Sequence, residues 1–161
     1  MSTRTNIVVQ YGTTNIFIYR HYDGYPGETG GDLVEKLRAH PKVEDFVAAL
    51  LTERYEKQYY ETEPKRTYEL TTDLHGDIEW LYVVRFFHAG GCKVAAGLVK
   101  GEANEERVLQ EVQENLRTIA DLAKLVNQER REMNARLLEL KAKYPGSAYA
   151  NCEPYPMLEV A

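Results

Sequence analysis

The chain has 161 residues, 43% hydrophobic and 28% charged, with a formal net charge of −5. That composition supports one folded domain and excludes a mostly disordered chain. The acidic balance excludes general nucleic-acid binding, which needs a basic surface to displace counterions, and no run reaches the ~18 apolar residues of a membrane span.

The first predicted element is a strand over residues 6–10, carried by Ile7, Val8 and Val9, with no apolar leader ahead of it. Gly12-Thr13-Thr14 turns the chain into a second strand over 15–20. Here Ile16, Ile18 and Arg20 share one face, and Phe17 and Tyr19 the other. Residues 21–31 hold four glycines and a proline, which excludes regular structure there. Asp32 caps a short helix bearing Leu33, Val34 and Leu37. After His40-Pro41 a second helix repeats Val43, Phe46, Val47, Leu50, Leu51 and Tyr55 at spacings of three and four. Strands follow over 66–72 and 77–87, then a His88-Ala89-Gly90-Gly91 turn and an edge strand over 92–99. The order ββααβββα predicts an α+β fold with an antiparallel sheet of about five strands covered by helices.

From 102 to 144 the sequence has neither Gly nor Pro. Leu109, Val112, Leu116, Ile119, Ala123, Val126, Arg130, Met133, Leu137, Leu140 and Tyr144 recur at alternating spacings of three and four, a coiled-coil seam. One helix of that length spans ~60 Å, about twice the width of a ~100-residue body with a radius of gyration near 13 Å. The overhang predicts a partner, with a homodimer first. The competing arrangement is a helical hairpin broken near Asn127-Gln128. Tyr144-Pro145-Gly146 ends the helix, and an extended tail follows. The expected division is an α+β domain (1–101), an oligomerisation helix (102–144) and a tail (145–161).

Two segments are candidate sites. The first is Arg20, His21, Tyr22, Asp23, Gly24 and Tyr25, followed by Pro26. A glycine-rich turn entering a helix presents free N–H groups to an anion, although neither a phosphate-loop nor a dinucleotide signature is present. The alternative is a structural turn with Tyr25-Pro26 over the core. The second segment contains His75-Gly76-Asp77. If the two meet, His21, Asp23, His75 and Asp77 make a metal set able to activate water for phosphoester hydrolysis; ordinary turn chemistry is the alternative. Cys92, without an orienting base, reads as a small core residue, and Trp80 and Tyr82 as core aromatics. Two scattered cysteines, Cys92 and Cys152, fit a reducing, cytoplasmic setting. No cofactor signature is present.

The opening Met1-Ser2-Thr3-Arg4-Thr5-Asn6-Ile7, the run Arg20-His21-Tyr22-Asp23-Gly24-Tyr25-Pro26 and the run His75-Gly76-Asp77-Ile78-Glu79-Trp80 resemble a family of small uncharacterised phage and prophage proteins. The likeness covers roughly the first 90 residues. It implies an accessory protein of a mobile element, and such proteins often bind a host factor, a defence complex or a signalling nucleotide. It lends no catalytic residues. The expectation is therefore a non-enzymatic, homo-oligomeric binding protein in the host cytosol that inhibits or sequesters a defence component. A metal-dependent hydrolase and a structural assembly protein are the alternatives.

Overall fold

The computed structural model describes residues 3–54, 66–99 and 105–161. β1 (Thr5–Tyr11) and β2 (Thr14–Arg20) form the expected hairpin, turned by Gly12 at φ +59. A single π-helical turn, Pro26–Gly30, runs into α1 (Gly31–Ala39), and α2 (Val43–Thr52) follows. α2 stops at Thr52, with Glu53 extended, short of the expected run to Tyr55, which itself lies outside the described residues. β3 (Glu69–Thr71) is a short edge strand. β4 (Trp80–Phe86) and β5 (Cys92–Leu98) form a second hairpin across Gly90 and Gly91, both at positive φ.

The five strands lie in the order β3-β2-β1-β4-β5. Every neighbouring pair is antiparallel except β1 and β4, which run parallel. The antiparallel expectation thus holds for three of the four pairings. Local turns dictate each hairpin, but β1 also needs a neighbour on its other edge, because Thr5 to Gln10 are buried along it. Joining the hairpins through their first strands makes the one parallel pair.

Strand alternation feeds two cores. One face carries Ile7, Val9, Ile18, Tyr82, Val84 and Phe86, covered by α1, α2 and the last long helix. Leu33, Val34, Leu37, Phe46 and Leu50 are at most 2% exposed there. Each contributes about 1.5–3 kcal/mol by leaving water, which fixes both short helices on this face. The other face carries Val8, Tyr19, Leu81, Val83 and Ala95 beneath Leu74, Ile78 and Val112.

The C-terminal run corrects the seam. It is two helices, α3 (Glu105–Gln113) and α4 (Ile119–Lys143), not one rod over 102–144. Thr118 starts α4: its hydroxyl accepts from the Asp121 N–H at 3.1 Å, and the Asp121 carboxylate accepts from the Thr118 N–H at 3.2 Å. This reciprocal pair is a capping box, which sets a helix start whatever apolar period runs through it. Leu109, Val112 and Leu116 pack with the second core, whereas Ile119, Ala123 and Val126 pack with the first. The connection between them rounds the β5 edge, where Arg117 and Val94 exchange backbone bonds of 2.8 and 2.7 Å. It thereby covers an edge that would otherwise present unpaired groups.

The hairpin alternative fails too, because α4 continues through Asn127-Gln128. Beyond Arg130 the helix leaves the sheet. Met133, Leu137 and Leu140 are half-buried, and Leu138 is 69% exposed. Past Tyr144 the chain doubles back through a 3-10 turn, Ala148–Asn151, and the tail runs antiparallel along α4. Among the described residues no helix is long and apolar enough to cross a membrane.

Candidate functional site

The segment 20–26 divides between two places. Arg20 ends β2 and is only 6% exposed. Its Nε donates to the Tyr22 carbonyl at 2.6 Å and its Nη1 to the Tyr68 hydroxyl at 2.9 Å. Tyr68 donates in turn to Asp32 at 2.5 Å, and Lys36 bridges Asp32 and Glu53 at 2.5 Å each. Burial, then the Asp32 carboxylate, pushes the Tyr68 hydroxyl well above its ordinary value. Arg20 is therefore a tie between β2, α1 and the end of α2, not an anion ligand.

The glycines of this segment serve close packing. A Cβ on Gly24 would lie 2.8 Å from both the Thr3 carbonyl oxygen and the Thr5 Cβ. Gly24 also bonds to the residues leading into β1 and to β4: its N–H donates to the Thr3 carbonyl at 2.8 Å, and its carbonyl accepts from the Tyr82 hydroxyl at 2.8 Å. Asp23 before it adopts φ +57, and its carbonyl accepts from the Thr29 hydroxyl at 2.7 Å. Gly27, Gly30 and Gly31 face Met133, Val126 and Arg130 of α4. The spacing of three and one puts them on one side of the turn, so two backbones approach closely. The Gly27 N–H donates to the Glu129 carboxylate at 3.1 Å. That backbone donor, expected to meet an external anion, is satisfied by the chain's own glutamate.

Glu129 supplies a pH signature. Burial raises its pKa from 4.5, against the lowering effect of the Gly27 bond. A raised carboxyl pKa means the folded chain holds the proton more tightly than the unfolded one. Stability is then greatest below the ordinary value and falls as pH rises through the raised one. Glu129→Gln keeps an acceptor for Gly27, so it should flatten the melting-temperature slope from pH 4.5 upward and leave the protein at least as stable at pH 7. Parallel thermal melts across that range check this; an unchanged slope contradicts it.

His21 and His75 do meet, around a residue that sequence reasoning passed over. Tyr19 stacks on the His75 ring at 3.8 Å and 11°, and its hydroxyl lies 3.0 Å from His21 Nδ1. Tyr22 stands edge-on to His21 at 4.4 Å and is 53% exposed. The His75 N–H donates to the Asn6 side chain at 2.8 Å, while Asp77 pairs with Arg4 at 3.2 Å. The result is an exposed shelf at the end of the sheet where β2 leaves and β1 and β4 enter. The strand period could have pointed to Tyr19, two residues before His21 and therefore on the same face. Arg4 required knowing that β1 lies beside β4.

Asp23 does not join this shelf; its carboxylate is 3.5 Å from the Tyr25 hydroxyl. Among the described residues no group of three or more His, Cys, Asp or Glu is arranged to hold a metal ion. The set His21, Asp23, His75 and Asp77 is thus not assembled. Cys92 is half-buried in β5 and burial pushes its thiol up, as for a packing residue. Two cavities lie elsewhere, ~560 Å³ between α1 and α2 and ~170 Å³ at the β5 edge.

Tyr25 turns the opposite way, toward the tail. The Tyr155 hydroxyl bonds with Glu28 and Tyr25; burial and then the Glu28 carboxylate push it up to about 12, against the lowering effect of the Tyr25 bond. Arg130, 7% exposed, donates to the Gly27 carbonyl at 2.8 Å and the Pro156 carbonyl at 2.9 Å, with its guanidinium over the Tyr155 ring at 5.7 Å. Asn134 holds the main-chain N–H and C=O of Tyr155 at 2.7 and 3.0 Å, and Asn127 those of Leu158 at 2.8 and 2.9 Å.

The chain matches no protein-family model, and no curated protein or solved structure is significantly similar to it.

Proposed function

We propose that this is a non-enzymatic binding protein whose partner-facing surface is the shelf of His21, Tyr22, His75 and Asp77, built over the buried Tyr19 ring. The observation that carries this reading is that the buried Tyr19 joins two segments distant in sequence, by stacking on His75 and bonding to His21, so that His21, Tyr22 and His75 sit together at the surface. Tyr and Arg are the side chains that dominate protein–protein hot spots, because they offer large rigid area with polar tips. His21, Tyr22 and Asp77 are exposed rather than enclosed, which favours a protein partner over a small anionic ligand. The likeness to phage proteins makes a host factor, such as a defence component that is inhibited or sequestered, the first partner to try. Assembly as a homodimer remains part of the reading on a smaller surface than a continuous seam would give: Leu138 on the far half of α4 and Tyr144 just past its end.

The test compares capture from a bacterial host lysate by the natural chain and by a Tyr22→Ala/His75→Ala variant. Tyr22 is exposed and His75 half-buried, its ring stacked on Tyr19, so the variant should melt within about 4 °C of the parent. A partner retained by the parent and lost by the variant supports the reading; an identical captured set contradicts it.

A further inference from the structure

The tail is held in a way that need not be specific to the tail. Asn127 and Asn134 are seven residues apart on one helix, ~10.5 Å along its axis. Tyr155 and Leu158 are three residues apart, ~10 Å in an extended chain. The two steps match, so each amide meets one residue's N–H and C=O together, as a neighbouring strand would. Arg130, between them, takes the Pro156 carbonyl. All five of these bonds go to main-chain atoms. Sequence enters through the half-buried side chains, above all Tyr155, received by Tyr25 and Glu28, and Leu158, packed against the main core, with Val160 beyond them. Met157 between them is 44% exposed.

We infer that the cleft between α4 and the Pro26–Gly30 turn is a recognition groove for an extended segment of another protein. The segment carries a tyrosine, then an aliphatic residue three positions on, and runs antiparallel to α4; the chain's own tail is its resident occupant. A tethered tail faces its groove at an effective concentration on the order of mM. With an intrinsic Kd of ~0.1 mM the tail would occupy the groove about nine-tenths of the time and weaken a competitor about tenfold. That is strong enough to shield the groove and weak enough to yield to a partner.

This surface is separate from the shelf, so its failure would leave that reading standing. The experiment uses the full chain and a fluorescent peptide with the sequence of residues 153–161, followed by anisotropy. Tyr155→Ala loosens the resident tail and should tighten peptide binding about tenfold over the natural chain. Adding Asn127→Ala and Asn134→Ala should then weaken it at least tenfold, and a peptide with both Tyr and Leu replaced by Ser should not bind. In native-state hydrogen exchange, the Tyr155 and Leu158 amides should open while those of α4 and the sheet stay protected. Tail amides that exchange only with global unfolding would overturn the proposal, as would a Tyr155→Ala chain that is folded but binds no peptide. A tail-exchanged dimer that the two Asn replacements dissolve would assign the groove to a second copy instead, and overturn it as well.

Discussion

Arg130→Leu should lower stability by about 3 kcal/mol, about 10 °C in melting temperature for a chain of this size. The guanidinium is buried and is the hydrogen-bond donor to the Gly27 and Pro156 carbonyls. Leucine leaves the buried Gly27 carbonyl without that donor, a loss of ~1–3 kcal/mol, and also removes a charged bond to the partly exposed Pro156 carbonyl. The coiled-coil reading makes the opposite prediction. At a seam position between Val126 and Met133, replacing a charge by leucine should strengthen the assembly and raise the melting temperature. The sign of the change, measured by calorimetry at two protein concentrations, therefore discriminates. A drop independent of concentration follows from a residue that ties the chain to itself.

Gly24→Ala should cost about 2–3 kcal/mol, the upper range for overpacking a filled site. The added Cβ would meet the Thr3 carbonyl and Thr5 Cβ at 2.8 Å. These are a main-chain atom and the root of a buried side chain, so neither can rotate away and β1 itself must shift. Thr5 is fully buried, and its hydroxyl donates to the Trp80 carbonyl at 2.7 Å, so the disturbance reaches the parallel pairing. A glycine kept for anion binding would behave differently: alanine would weaken the ligand and leave the melting temperature in place. Urea melts of the variant read the cost directly. A change below ~0.5 kcal/mol would remove Gly24 from the packing account.

The parts of the fold that rest on local chemistry were legible. Gly12 and Gly90-Gly91 turned the two hairpins where expected, and the alternation of Ile16 and Ile18 against Phe17 and Tyr19 assigned the faces of β2 correctly. The parallel β1–β4 pair was not legible, because nothing local distinguishes which edge of a hairpin a later strand will join. The seam misled for a different reason. An apolar period reports which side of a helix is covered and does not say by what. Leu109, Val112 and Leu116 meet one face of the sheet, and Ile119, Ala123 and Val126 the other, yet their spacing runs through the break without a fault. The break did have a signal: Thr118-x-x-Asp121 is the start of a helix inside what looked like the middle of one.

At the candidate site the same distinction holds. His21 and His75 were found, but Tyr19, which joins them, reads as one more strand aromatic until the two loops are in place. Arg20 and Gly24 looked functional because a charge and a glycine beside a turn suit ligand binding and tight packing equally well. Burial decides between these: Arg20 at 6% exposed, bonded to Tyr68 and the Tyr22 carbonyl, has no free face to offer.

Everything said of the C-terminal half depends on its apolar face being covered by its own sheet. Isotope-filtered nuclear Overhauser spectroscopy on a mixture of labelled and unlabelled chains tests this most directly. The account predicts intramolecular contacts from the Val112 methyls to Gly97 and from the Val126 methyls to Gly30, on opposite faces of the sheet. Cross-peaks between different molecules at Leu109, Val112, Leu116, Ile119 and Val126, with none to the sheet, would contradict it.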